Sequence, residues 1–214
     1  MLTIIEEISK PKKRGAKPSF TPIDILRMIR IIDKYSLVSR IRISKELEIG
    51  EGTIRTIIRY LKHSHIIEVI RSGIKLGSKG KDIAKILNDT IIFEGFVDEK
   101  ILEKLALAKF NYLMILRNLA HKIKKGIEER DIAIKYGTQA LITLIFRQNS
   151  ILFPDGYPLG EEFSRFKQFI LKEFNLANND VILISCSEKG NNAINGTYAV
   201  LYHLLSDFTL NQKN

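Results

Sequence analysis

Gly50-Glu51-Gly52-Thr53-Ile54-Arg55-Thr56-Ile57-Ile58-Arg59-Tyr60-Leu61-Lys62 is the stretch whose reading decides the fold. Ile54, Ile57, Ile58 and Leu61 fall at i, i+3, i+4 and i+7, the spacing of one buried helical stripe. The opposite face carries Thr53, Arg55, Thr56, Arg59, Lys62 and His63. Arg55 and Arg59 lie one turn apart and point the same way. No acidic partner for either is apparent within the helix. Two cations with small hydroxyls on one exposed face suit phosphate and base-edge contact in a major groove. The ordinary alternative is a solvated face.

The surroundings favour the first reading. Upstream, Thr21-Pro22-Ile23-Asp24 is a helix start, with Thr21 as N-cap and Pro22 at the first helical position. Ile25, Met28, Ile29 and Ile32 continue it as one apolar face. Residues 35–38 form a connector. Ser39 then caps a second helix, with Ile43 and Leu47 on its inner side and Arg40, Arg42 and Lys45 outside. Downstream, residues 66–70 have strand composition, Arg71-Ser72-Gly73 is a turn, and residues 74–76 return as a second strand. Ser78 starts another helix, with Ile83, Ile86 and Leu87 inward. Helix, helix, helix, hairpin, helix is the order of a winged helix-turn-helix, with Arg71 and Lys75 on the wing.

Residues 10–19, Lys-Pro-Lys-Lys-Arg-Gly-Ala-Lys-Pro-Ser, hold two prolines, a glycine and five cations. The whole of 1–20 is therefore read as a basic arm, with Lys12, Lys13 and Arg14 available to phosphates. The same composition matches a solvated tail or a nuclear localisation signal.

Charge follows this division. The 214 residues carry a net charge of +10. Residues 1–90 hold 19 Lys and Arg against 10 Asp and Glu, and the rest hold 15 against 14. A basic half joined to a near-neutral half suggests a polyanion-binding module with a second module attached. One cysteine, Cys186, excludes an intrachain disulfide and a cysteine-rich zinc site. A buried structural thiol is the expected role. The apolar start is too short for a signal-peptide core, and no run approaches the roughly 20 apolar residues of a membrane span. The chain reads as soluble and cytoplasmic, without a membrane partner.

Two resemblances arise at these residues. Residues 50–62 followed by Ile66-Ile67 look like the recognition helix and strand of prokaryotic winged-helix regulators. Leu76-Gly77-Ser78-Lys79-Gly80 is similar to the Leu-Thr-x-x-Gly that follows their wing, with Gly77 in place of the threonine. Residues 14–205 also resemble an archaeal domain-of-unknown-function family of winged-helix proteins. Arg14-Gly15-Ala16-Lys17-Pro18-Ser19-Phe20, residues 126–135 and Asp180-Val181-Ile182-Leu183-Ile184 carry that likeness. It implies transcriptional regulation, and no established ligand or catalytic residue.

The near-neutral half reads as α+β. Strands are expected partly within 88–98 and over 110–116, 140–146, 150–153 and 181–186. Helices are expected at 99–107, 126–136, around 163–174 and at 193–205. In the helix at 126–136, Ile127, Ala133 and Ile134 are read as inward and Glu128, Glu129, Arg130 and Asp131 as mostly outward. The expected architecture is a two-layer α/β sandwich with helices on one face of the sheet. Pterin dehydratase and the insert domain of bacterial aspartyl-tRNA synthetases resemble it at the level of fold alone. The whole is therefore an α+β two-domain chain: arm 1–20, winged helix-turn-helix 21–90, dimerisation or ligand-sensing domain 91–214.

Chemistry is sparse. The four histidines are scattered, with no metal spacing, and neither a P-loop nor a dinucleotide fingerprint occurs. No catalytic residue, metal or cofactor is expected. One polar loop, with Ser187, Lys189, Gly190 and Asn191 between an apolar strand and the last helix, has the composition of an anion or ligand site at a helix N-terminus. An ordinary capped loop is the alternative. The leading expectation is a DNA-binding transcriptional regulator, a homodimer on double-stranded DNA with a small-molecule effector. The competing ones are an enzyme or small-molecule binder with the winged helix as an interaction module, and a partner of RNA or of transcription machinery.

Overall fold

The structure is a computed structural model, and it describes residues 2–9 and 20–210. The chain separates into two compact units. One holds the chain up to Asn88 together with residues from Leu205 onward, and the other is Asp89–Leu204.

The first unit begins with α1 (Leu2–Ser9), which packs on α2 (Pro22–Tyr35). A helix here corrects the expectation of an arm over the whole of 1–20. Cations and prolines begin only at Lys10, while the preceding residues are apolar and acidic, and Ile5 is fully buried. The arm residues Lys12, Lys13 and Arg14 lie outside the described residues. Thr21 caps α2 as read. Its hydroxyl accepts from Asp24 N at 3.4 Å while Asp24 Oδ2 accepts from Thr21 N at 2.7 Å, a reciprocal capping box. Ile25, Leu26, Met28, Ile29 and Ile32 are buried without remainder. Each such side chain contributes about 1.5–3 kcal/mol against an exposed reference. Arg27 is buried among them and donates to the Glu46 carbonyl at 3.1 Å, tying α2 to the end of α3 (Arg40–Leu47). Ser39 Oγ accepts from Arg42 N at 3.3 Å and starts α3.

Next comes α4 (Glu51–His63), with Ile54, Ile57 and Leu61 fully buried as the periodicity requires. Ile58 is only half-buried. The hairpin is β1 (Ile67–Ile70) and β2 (Gly73–Leu76) in antiparallel register. Val38 adds a third rung, exchanging both backbone hydrogen bonds with Ile74 at 3.0 and 2.9 Å. The connector thus becomes an edge of the wing sheet. After the wing, a Cβ on Gly77 would lie 2.6 Å from the His65 carbonyl oxygen, and one on Gly80 would run into that of Ile66. The glycine that replaces the usual threonine is therefore required by a close backbone approach. It lets α5 (Ser78–Thr90) start directly against the end of α4.

The second unit is one antiparallel sheet in the order β3-β4-β7-β5-β6. Its strands are β3 (Ile91–Phe96), β4 (Phe110–Leu116), β5 (Ala140–Arg147), β6 (Ser150–Leu152) and β7 (Asp180–Ser187). Between them come α6 (Glu99–Leu102), α7 (Ile127–Ile134), α8 (Ser164–Glu173) and the final α9 (Gly190–Leu210). The class and the element order are as expected, and the sandwich takes a fuller form than one helical layer. On one face Leu113, Ile115, Leu144, Ile182, Ile184 and Cys186 pack with Leu102, Leu105, Phe166 and Ile170 of the α6–α8 side. On the other face the Tyr198 hydroxyl of α9 donates to Glu94 of β3 at 2.5 Å, and a Cβ on Gly196 would lie 3.0 Å from Ser185 Oγ. Helices therefore cover both faces, and β7 is buried at every residue. The likeness to two-layer domains does not extend to this second helical face.

One helix face is corrected. In α7, Glu129 and Ala133 are buried, while Ile127 and Ile134 are exposed by 51% and 46%. Glu129 Oε2 has no hydrogen-bond partner among the described residues. The apolar residues Ile127, Ile132, Ala133 and Ile134 are spread around this short helix, so their pattern does not choose a face.

Candidate nucleic-acid interface

The exposed face of α4 is built as the sequence predicts. Arg55, Arg59 and Lys62 project into solvent, and Thr53 and Thr56 are half-buried beside them. The Thr56 hydroxyl donates to the Gly52 carbonyl at 3.2 Å, which leaves its lone pairs for a donor. Arg59 lies 5.6 Å from the centre of the Tyr60 ring.

Tertiary structure adds what the helix alone lacks. The end of the wing lies beside α4, and the two border an open cleft of about 340 Å³. Arg40 from α3, Arg55 from α4 and Arg71 from the wing turn line it, together with Ser39 and Ser72. Its floor is apolar and includes Ile58, Val69 and Ile70. Val69 and Ile70 are exposed by 42% and 43%, unusual for a strand and suited to the sugar faces of a bound backbone. Ser39, Ser72 and the apolar floor have structural roles in the sequence reading and were not assigned there to a site. The Arg71-Ser72 turn is the only local signal for them.

Three guanidiniums on one cleft make a focused positive field, and guanidinium forks match phosphate oxygens in charge and geometry. Two of the lining arginines share a carboxylate that is not itself part of the lining. Glu51 Oε2 lies 3.4 Å from Arg40 Nη2 and 3.9 Å from Arg55 Nη2. This corrects the expectation that the helix offers Arg55 no acidic partner: Glu51 is the first residue of α4, one turn before it.

The other predicted cations are placed less freely. Arg42 lies over the Tyr35 ring at 3.7 Å and pairs with Glu46 at 3.1 Å. The hydrogen bond to Glu46 raises the guanidinium pKa above its ordinary value. Lys75 pairs with Glu68 across the hairpin at 2.9 Å, and that ammonium holds the Glu68 carboxyl below the usual carboxylate range. Lys45 is exposed on α3. Such exposed pairs are worth about 0–1 kcal/mol and yield to a phosphate.

The loop of Ser187, Lys189, Gly190 and Asn191 is engaged in holding its own unit together. Ser187 is buried, donates to the Gly137 carbonyl at 3.3 Å and accepts from Lys189 N at 3.4 Å. Thr138 Oγ1 donates to the Asn192 carbonyl and shares a 3.1 Å hydrogen bond with Ser185. A Cβ on Gly190 would lie 3.2 Å from Phe96. The Ser187 hydroxyl and the Lys189 N–H are thus used to seat the start of α9. Cys186 is fully buried, and burial pushes its thiol pKa up. Among the described residues no group of three or more His, Cys, Asp or Glu is placed to hold a metal, and no helix is long and apolar enough to cross a membrane.

Two family models match the chain. Residues 23–91 match the CggR N-terminal DNA binding domain, and residues 107–204 match a domain of unknown function, DUF4443. A solved structure described as a hypothetical protein from Pyrococcus horikoshii OT3 is similar, with a TM-score of 0.70 and 28% identity, over 88% of this chain and 95% of that one. No curated protein matches. The N-terminal match is thus to a DNA-binding domain and the C-terminal match to a domain of unknown function, in the order of the two units of the fold.

Proposed function

We propose that the protein is a non-catalytic transcriptional regulator that binds double-stranded DNA through α4 and the arginine cleft beside it. The observation that carries this reading is the convergence of Arg40, Arg55 and Arg71, from three separate elements, on one cleft next to an exposed basic helix face. In this reading α4 lies in the major groove with Thr53, Arg55, Thr56 and Arg59 towards base edges and nearby phosphates. Lys62, Arg40, Arg71 and, more weakly, Arg42, Lys45 and Lys75 hold the backbone.

The Asp89–Leu204 unit is proposed to dimerise the protein and to sense a small-molecule effector. Its exposed Phe96, Leu107, Ile127, Ile134 and Leu171 supply apolar surface for a subunit contact. A two-fold dimer would read half-sites one or more helical turns apart. Arg55→Ala combined with Arg59→Ala is expected to abolish preference for specific duplex sites, and unchanged affinity would sink the assignment of α4. Competition between duplex DNA and structured RNA tests the choice of nucleic acid, and an RNA preference would count against it.

A further inference from the structure

The anion position shared by Arg40 and Arg55, two arginines of the cleft, is already taken by the protein itself. Arg40 and Arg55 come from different helices, and only one described side chain, Glu51, is seen paired with both. To a guanidinium, a carboxylate and a phosphodiester present the same chemistry: a delocalised negative charge with oxygens that accept N–H bonds. Glu51 therefore stands where a phosphate oxygen would stand. Its side chain is 46% exposed and those of Arg40 and Arg55 44% and 64%, so it is held by exposed charge pairs and by its place in the first turn of α4 and not by burial.

From this geometry we infer an anion subsite between Arg40 and Arg55, which one phosphodiester of a DNA strand occupies in the complex after displacing the resident carboxylate of Glu51. The inference rests on the duplex-DNA reading above. Glu51 is then a brake on binding. It neutralises the two cations in the free protein, and it repels any phosphate that enters without displacing it. Arg71, on the wing side of the same cleft, shows no ion pair among the described residues and is free to make the first contact.

The test uses the full chain and fluorescence anisotropy with duplex DNA over a range of salt concentrations. Glu51→Gln keeps the length of the side chain and removes its charge. It is expected to bind about two- to fivefold more tightly at low salt, the range set by losing exposed pairs of this kind. Its log–log salt dependence should steepen by up to about 0.9, the share of one phosphate contact whose cation Glu51 no longer neutralises in the free protein. Arg40→Ala should then cost more affinity in the Glu51→Gln background than in the wild type. Thermal melts check that both chains stay folded. Equal or weaker binding by Glu51→Gln overturns the inference, and weaker binding would mean that Glu51 itself contacts a base. Failure of wild type and Glu51→Gln alike to bind any duplex would refute the DNA reading instead, and the subsite with it.

Discussion

Replacing Arg40, Arg55 and Arg71 together by alanine separates the cleft from the rest of the basic surface. All three are exposed at the cleft mouth, so their loss opens no core cavity, and stability should change by no more than about 0.5 kcal/mol per site. Their effect on DNA binding is predicted to be large and salt-dependent. Each phosphate contact on B-DNA contributes about 0.9 to the slope of log affinity against log salt, so three lost contacts flatten it by about 2.7. Between 50 and 200 mM salt, a fourfold rise, the wild type should lose roughly 40-fold more affinity than the triple variant. Anisotropy titrations at three or more salt concentrations measure both slopes. Arg42→Ala with Lys75→Ala is the matched control, because those cations each have a carboxylate of their own in Glu46 and Glu68, whereas Arg40 and Arg55 share the one of Glu51 and Arg71 shows no ion pair among the described residues. Its slope should change by less than half as much. Parallel slopes for wild type and triple variant would refute the phosphate role of the cleft, whatever happened to affinity at one salt concentration.

Three further outcomes test the second unit. Asp180 is fully buried and accepts from Arg117 Nη1 at 2.7 Å, Asn118 N at 2.9 Å and Ala177 N at 2.8 Å. Asp180→Ala should therefore cost about 3 kcal/mol in urea unfolding, since removing one partner strands the other groups. A loss below 1 kcal/mol would contradict that. Glu129→Leu removes a buried carboxylate oxygen that lacks a partner among the described residues, and should stabilise the protein by about 1 kcal/mol or more, whereas a lower melting temperature would show that the carboxylate is needed. Cys186 should resist iodoacetamide at pH 8 until the chain unfolds. Burial raises its folded pKa above the ordinary 9.0, so the native state keeps a proton that the unfolded state releases. Stability should then fall as pH rises above about 9, and rapid labelling of the native chain would contradict the burial.

How far the sequence was legible follows from the range of the signals. The stripe of Ile54, Ile57 and Leu61 and the Thr21 capping box are local, within one or two turns, and the structure reproduces them. The cleft was not legible, because Arg40, Arg55 and Arg71 meet only once the wing lies beside α4. Glu51 was in view one turn before Arg55, but its place between two arginines depends on where α3 puts Arg40. The second helical layer did leave a signal. The unbroken apolar run 181–184 and its neighbour 112–116 lack the alternation of a sheet with one wet face, and such runs belong to strands covered on both sides. In α7 the signal itself was poor. Apolar side chains all around a helix of eight residues gave no moment to orient it, so a glutamate went inward and two isoleucines outward. The Ser187 loop had the composition of a site, and hydrogen bonds to Gly137 and Lys189 engage its Ser187 hydroxyl, a use by the fold that composition cannot distinguish from a group left for a ligand.

The central claim is that this chain binds duplex DNA at chosen sites through α4 and its cleft. Occupancy of the protein along its own chromosome, compared with that of the Arg55→Ala and Arg59→Ala double variant, tests it most directly. The account predicts enrichment at promoter-proximal sites for the wild type and loss of those peaks in the variant. A flat wild-type profile, or peaks that survive the double substitution unchanged, would contradict it.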